Sequence, residues 1–264
     1  MTAQPGSRNE KTASEITRDD IGNGLFILQK KDGFRFGIDA VLLSHFASVS
    51  DGGRAMDLCT GSGIIPHLMW ADARKAGRSA SFLGLEISES AASLAKESAL
   101  LNGLSGEVEI VQGDVKEAAE LFPAGSFDTV TCNPPYTKAG CGRVELTADG
   151  KFPEKMAARH ELLMTFGDAA SAARHLLKSG GWFYLVHRPA RLPEIMGSLK
   201  ENAFSLKMIR FVHPAPGREA TMALLAAQKN AGEQLTVLPP LFVEDGSGTW
   251  TDELLSIYGM ERKD

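Results

Sequence analysis

Four short segments carry side chains that can hold a polar ligand and grip a planar amine. The sharpest is Asn133-Pro134-Pro135-Tyr136, which follows the apolar run FDTVTC at 127–132. Two consecutive prolines stop β-ladder pairing and fix the direction of the carbonyls before them. Asn133 adds an amide oxygen acceptor, and Tyr136 a flat aromatic face. Together they can take both hydrogens of an –NH2 group while its ring stacks on the Tyr. That draws the nitrogen lone pair out of conjugation and aims it. The second segment is Asp57-Leu58-Cys59-Thr60-Gly61-Ser62-Gly63. Its glycines allow a tight turn and close approach of a ligand to the backbone. It has neither the GxGxxG pattern nor the Gly-Lys-Ser/Thr ending of a phosphate loop. A carboxylate ahead of such a turn suits a cationic or hydroxylated ligand. Glu86, which ends the run SFLGLE at 81–86, can accept both hydroxyls of a ribose. Asp114, in Gln112-Gly113-Asp114, either accepts from an adenine amino group or closes a Gly-Asp turn.

A repeating alternation of strands and helices can position these residues. RAMDLC at 54–59, SFLGLE at 81–86, EVEIVQ at 107–112 and FDTVTC at 127–132 read as strands. Helices are expected over 63–77 and from a Ser88 cap to Leu101, with Asn102-Gly103 closing the latter. A helix over 160–178 is expected to end at Gly180-Gly181 and lead into a strand at 182–187. A helix near 191–202 and strands near 205–212 and 219–228 follow. This order specifies an α/β fold with a seven-stranded, mostly parallel, doubly wound sheet. Ligands in such sheets bind beyond the carboxyl ends of the strands, where all four segments fall. Four parts are expected along the chain. Residues 1–18 read as a disordered tail, and 19–50 as a hairpin and helix packed on the core. Residues 51–230 form the main domain, and 231–264 a tail that either packs on the core or meets a partner.

Composition narrows the classes. The chain has 264 residues with 43% hydrophobic and 23% charged, enough to fold around a core without staples. Its net charge of −5 argues against attachment to nucleic acid by bulk charge alone. The charge is uneven, however: residues 174–230 hold 9 basic and 3 acidic side chains. That stretch is either a phosphate-binding face or a set of solvated helix faces. Cys59, Cys132 and Cys141 make no CxxC pair, and the six histidines lack ligand spacing, so no metal site is expected. The first 18 residues hold no apolar core of a signal peptide, and no apolar run spans a bilayer. A cytoplasmic protein with free thiols is expected, and its oligomeric state is open.

The set Asp57, Gly61, Gly63, Glu86, Asp114 and Asn133-Pro-Pro-Tyr136 resembles the class I S-adenosylmethionine-dependent methyltransferases that methylate amino groups. The resemblance implies S-adenosyl-L-methionine as cofactor. Asp57, Thr60, Gly61 and Gly63 would lie around its methionine part, Glu86 at the ribose and Asp114 at the adenine. Asn133, Pro134, Pro135 and Tyr136 would be the catalytic segment, with Asn133 also bordering the cofactor. Cys59 stands where that family usually has a Gly. A narrower likeness extends over roughly 19–260. It rests on Gly33–Leu43, Leu185-Val-His-Arg-Pro189, His213-Pro214, Gly217-Arg-Glu-Ala220 and Leu238-Pro-Pro-Leu241. These segments are similar to bacterial methyltransferases acting on N6 of adenine 37 in valine tRNA, which implies a tRNA partner. In that likeness Gly37 and Asp39 pack near the cofactor. Asp39 then either meets the methionine amino group or serves as a carboxylate favoured at a helix start. Lys138, Arg143 and Lys151, in a loop at 137–158, are candidate RNA contacts. Arg188 and Arg191 are either phosphate contacts or ordinary surface residues.

Competing acceptors are the exocyclic amine of guanine in RNA and a protein glutamine amide. Glutamine methyltransferases of this group carry a helical domain ahead of the core, and the short, largely polar segment ahead of Asp57 disfavours that reading. A scaffold that binds cofactor or RNA without turnover is the alternative from another class, and the complete Asn-Pro-Pro-Tyr segment speaks against it.

Overall fold

Short apolar runs become the central strands of one sheet because helices bury them on both faces. The computed structural model describes residues 15–31, 33, 35–134 and 164–262. A hairpin comes first, β1 (Ile16–Asp20) and β2 (Phe26–Lys30), followed by α1 (Ile38–Phe46). Then come β3 (Arg54–Leu58), α2 (Ile64–Lys75), β4 (Ser81–Glu86), α3 (Glu89–Leu101) and β5 (Val108–Gln112). A 3-10 turn and α4 (Ala118–Leu121) lead to β6 (Phe127–Cys132), and α5 (Phe166–Leu176) to β7 (Leu177–His187). The chain closes with α6 (Leu192–Glu201), β8 (Phe204–His213), β9 (Met222–Lys229), β10 (Thr236–Val237), β11 (Leu241–Phe242) and α7 (Asp252–Ile257).

The strand order is β10-β8-β9-β7-β6-β3-β4-β5, with β11 also paired to β8. β9 runs antiparallel to both neighbours, and the other pairings in this sheet are parallel. The connection 214–221 is too short for a crossover, which forces β8 and β9 into a hairpin. The seven long strands match the expected sheet. β10 and β11 extend it to nine, because part of the C-terminal stretch pairs along β8. β3 holds β4 on one side and β6 on the other, so the order reverses at β3. A crevice opens at such a reversal, above the carboxyl ends of the strands.

One face of the sheet packs Leu42, Leu43, Ile64, Ile65 and Ala95 of α1–α3. The other packs Phe166, Ala169, Ile195 and Leu199 of α5 and α6 against Phe127 and Phe183. Along β3, Ala55 faces the first layer while Met56 and Leu58 face the second. Asp57 therefore points toward the α1–α2 side.

Two boundaries differ from the sequence reading. β1 begins at Ile16, inside the stretch expected to be a tail. β7 begins at Leu177 rather than 182, because Leu177 is buried and extended and pairs with Phe127. Gly180 then adopts φ +78° within a register shift, so the two glycines form a bulge inside the strand instead of ending a helix. At the start of α5, Thr165 and Asp168 exchange hydrogen bonds as a capping box. No helix among the described residues is long and apolar enough to cross a membrane.

The N-terminal hairpin is fastened to α3 through its backbone edge. Asn102 Oδ1 accepts from Phe26 N at 2.9 Å, its Nδ2 donates to Phe26 O at 2.8 Å, and Ser98 Oγ accepts from Leu28 N at 2.9 Å. Asn102→Ala leaves two strand groups without those partners and is expected to lower unfolding free energy by about 1–3 kcal/mol in urea titration. An unchanged midpoint would show that the hairpin is held by other contacts.

Candidate cofactor and acceptor site

The turn after β3 is shaped by glycines and by one residue that is not glycine. Gly61 and Gly63 have φ of +56° and +79°, and Cys59 adopts +59°. A left-handed Cys is uncommon, since Cβ crowds the backbone there. Its thiol lies 3.6 Å from Met164 Sδ, a packing contact that helps hold it. The hydrogen bond with Cys132 and then burial push the Cys59 thiol well above its ordinary value, so it is an inert thiol.

The turn is tied to β4. Thr60 N donates to Leu85 O at 3.1 Å, and Gly61 N to Glu86 Oε2 at 2.9 Å. Ser88 N donates to Glu86 Oε1 at 2.8 Å. Gly84 makes this closeness possible: a Cβ there would come 2.6 Å from Thr60 Cγ2 and 2.9 Å from Ile110 Cδ1. Behind the turn, fully buried His67 meets Gly63 O at 2.7 Å through Nδ1. Burial lowers the pKa of that ring, which keeps it neutral.

Asp57 is 2% exposed. Its Oδ1 accepts from Thr131 Oγ1 at 2.7 Å, while Oδ2 has no partner, and neither has the buried hydroxyl of Thr60. Burial pushes the Asp57 carboxyl up to about 7, the adjacent Thr60 hydroxyl and then the hydrogen bond from Thr131 pull it back, and the charge of Glu86 adds to the rise. Burial also raises Glu86, against the pull of the Ser88 and Gly61 amides. Neither acid has an ion-pair partner among the described residues. Two orphaned buried oxygens and two uncompensated carboxyls fit a ligand bearing positive charge and hydrogen-bond donors.

The remaining candidates lie around this turn. The pairing of Leu58 with Cys132 brings Asn133 beside Cys59. Asn133 is half-buried and Pro134 buried. Asp114 follows β5 and caps the 3-10 turn: Oδ1 accepts from Lys116 N at 2.9 Å, and Oδ2 lies 3.3 Å from Lys116 Nζ. Gly37 and Asp39 begin α1, which packs along α2. Near the far ends of these helices His45 Nδ1 lies 3.4 Å from Asp72 Oδ2, so both helices start at the same edge of the sheet. Pro135, Tyr136, Lys138, Arg143 and Lys151 lie outside the described residues.

The two arginines after β7 part ways. Arg188 is exposed and donates to Thr221 O at 3.3 Å. Arg191 is only 8% exposed and grips Glu194 through Nε at 3.2 Å and Nη2 at 2.9 Å. Arg191 is thus buried beside a carboxylate, unlike the exposed Arg188. The residues that sequence reasoning missed are supports. Gly84, Thr131 and Ser88 hold the acids and the turn. His187 fills the end of β7, fully buried, and takes Arg188 N at 2.8 Å on Nδ1. Burial, then the Arg191 charge, pushes the His187 ring down to about 4, so it is neutral near pH 7. The signal for Gly84 was a lone glycine inside an apolar strand. Ser88 was legible only as a helix cap, and Thr131 and His187 gave no signal. Among the described residues no His, Cys, Asp or Glu cluster could hold a metal.

A family model described as a methyltransferase domain matches residues 49–236. The chain belongs to this methyltransferase family. The topology, with its reversal at β3, is that of the Rossmann-like class I fold. Among solved structures, this methyltransferase resembles a predicted O-methyltransferase from Agrobacterium tumefaciens, with a TM-score of 0.64 and 25% identity. That match covers 84% of this chain and 95% of the other. Two relatives carry the name tRNA1(Val) (adenine(37)-N6)-methyltransferase. The Erwinia tasmaniensis protein is 25% identical, with 80% of this chain and 81% of that one covered. The Photobacterium profundum protein is 30% identical, with 62% and 63% covered.

The raised Asp57 carboxyl fixes a pH dependence. The folded methyltransferase keeps this proton to higher pH than the unfolded chain. The resulting stability is fully present below about pH 4 and is lost as pH rises through about 7. Thermal midpoints of the ligand-free protein are expected to fall more between about pH 5 and 7.5 in wild type than in Asp57→Asn. Parallel profiles would show that Asp57 does not carry the titration.

Proposed function

We propose that this methyltransferase moves a methyl group from S-adenosyl-L-methionine to the exocyclic N6 of an adenine in tRNA, with adenine 37 of a valine tRNA as the acceptor. The reading is carried by one juxtaposition. The unpartnered Asp57 and Thr60 oxygens sit at the end of β3, and Asn133-Pro134 leaves the adjacent β6. Both named relatives act, by their names, on N6 of adenine 37 in a valine tRNA.

When bound, the cofactor supplies an activated methyl on a sulfonium, so the protein's task is mainly positioning. Asp57 takes the positive methionine end, with Asp39 at the start of α1 nearby, and Thr60 Oγ1 adds a hydrogen bond. Gly61 and Gly63 let the chain pass close to the ligand. Each Glu86 oxygen holds one amide and keeps a lone pair for a ribose hydroxyl. Asp114 takes the adenine amino group of the cofactor. On the acceptor side, the amide oxygen of Asn133 and the carbonyl of Pro134 accept the two N6 hydrogens. They stabilise positive charge as it grows on the nitrogen. Tyr136 stacks on the target base once it has swung out of its loop. No strong general base is required, since the methylated ammonium is acidic and gives its proton to water. The function and the free thiols belong to a cytoplasmic setting.

The test is methyl transfer from labelled cofactor into unmodified total tRNA, followed by nucleoside mass spectrometry. N6-methyladenosine confined to valine tRNA is expected. Label in guanine or in protein glutamine would keep the chemistry and replace the acceptor. Asn133→Ala is expected to lower kcat about 10²–10³-fold while cofactor affinity stays within several-fold. Full turnover in that variant would contradict the mechanism.

A further inference from the structure

The basic stretch 174–230 contains nine lysines and arginines, and the fold sorts them. Arg174, Lys178, Lys200, Lys207 and Lys229 fall at the amino edge, at the ends of α5 and α6, the starts of β7 and β8 and the end of antiparallel β9. Several are also engaged: Lys178 pairs with Asp128 at 2.7 Å, and Lys207 donates to Gly232 O at 2.7 Å. Arg210 binds Glu253, and Arg191 binds Glu194. At the carboxyl edge Arg188 donates to Thr221 O, and Arg218 remains. The Arg218 side chain is exposed and makes no hydrogen bond or ion pair among the described residues.

Arg218 sits on a well-built turn. Pro214 and Pro216 restrict the backbone, Gly217 supplies φ +76°, and Arg218 N donates to Ala215 O at 3.1 Å. Arg218 O meets His213 Nδ1 at 2.7 Å, and Arg188 bonds Thr221 O at the far end of the turn. The His213 ring, half-buried, lies 5.6 Å from that of Phe242, which β11 brings alongside β8. A cation without a partner and a partly exposed aromatic pair thus stand together. They share the sheet edge with Asn133, three strand spacings away along β6-β7-β9-β8, about 14 Å.

We propose that the β8–β9 turn is a second contact for the RNA acceptor: Arg218 takes one backbone phosphate, and the His213–Phe242 pair offers a face to an unpaired base of the same loop. This rests on the proposed function and adds to it where the acceptor is held. Unpaired bases stack on aromatic rings beside cationic groups whatever their sequence. The nearby acids Glu219 and Glu244 confine the attraction to a single phosphate, in keeping with an acidic protein.

The test measures binding of unmodified valine tRNA by the full chain at several salt concentrations, alongside methylation, for wild type, Arg218→Glu and Arg218→Lys. Arg218→Glu is expected to bind about tenfold more weakly and to reduce the salt slope by about 0.7–0.9, with cofactor affinity and melting temperature unchanged. Arg218→Lys is expected to stay near wild type. Unchanged affinity and slope in Arg218→Glu overturn the contact. Wild type that binds the tRNA without methylating it overturns the proposed function, and the contact is then judged by the Arg218→Glu affinity. Wild type that binds no RNA overturns both.

Discussion

The Gly61 amide donates to Glu86 Oε2, and this bond fastens the turn after β3 to the end of β4. Its effect depends on burial. Glu86 is nearly out of solvent, so its charge rests on the Gly61 and Ser88 amides, and Asp57 beside it has only the Thr60 and Thr131 hydroxyls. Removing either support leaves a carboxyl in a low-dielectric setting with nothing to offset its desolvation. The local backbone follows from that arrangement. Gly84 must lack a Cβ so that Thr60 can lie on β4, and Cys59 must accept a left-handed conformation to bring the turn there. The edge is therefore set to gain from a ligand that brings positive charge to Asp57.

The strand order spreads different chemistry along the same edge. β5, β4 and β3 end in Asp114, Glu86 and Asp57, an acidic half suited to a cationic cofactor. β6, beside β3 only because the order reverses there, ends in Asn133. Beyond it the β8–β9 turn presents the exposed Arg218, which the proposed contact assigns to a phosphate of the acceptor. In the proposed reaction a methyl donor and an amine acceptor approaching from opposite halves would meet at Asn133. The family match covers the sheet from before β3 to the start of β10, so this division lies within the methyltransferase domain.

Much of this was legible in the sequence because its determinants are local. Strands buried on both faces are short apolar runs, and Ser88 and the glycine turns mark helix boundaries where they occur. The acids and Asn133 stand out because each ends such a run. What was not legible depends on contacts between distant segments. The early start of β7 follows from Leu177 pairing with Phe127. β10 and β11 exist only because β8 offers them an edge. Thr131 reads as one more β-branched strand residue until Asp57 is seen beside it. Charge totals did not reveal that the basic stretch divides between two edges of the sheet.

The proposed seat of the cofactor's positive end on Asp57 requires that binding displace the carboxyl proton. Calorimetric titration of the protein with S-adenosyl-L-methionine near pH 6.5, in buffers of different ionisation enthalpy, tests it directly. Release of about half a proton or more on binding is expected, with affinity rising as pH goes from about 5.5 to 7.5. Binding with no buffer dependence and no change of affinity over that range would contradict it.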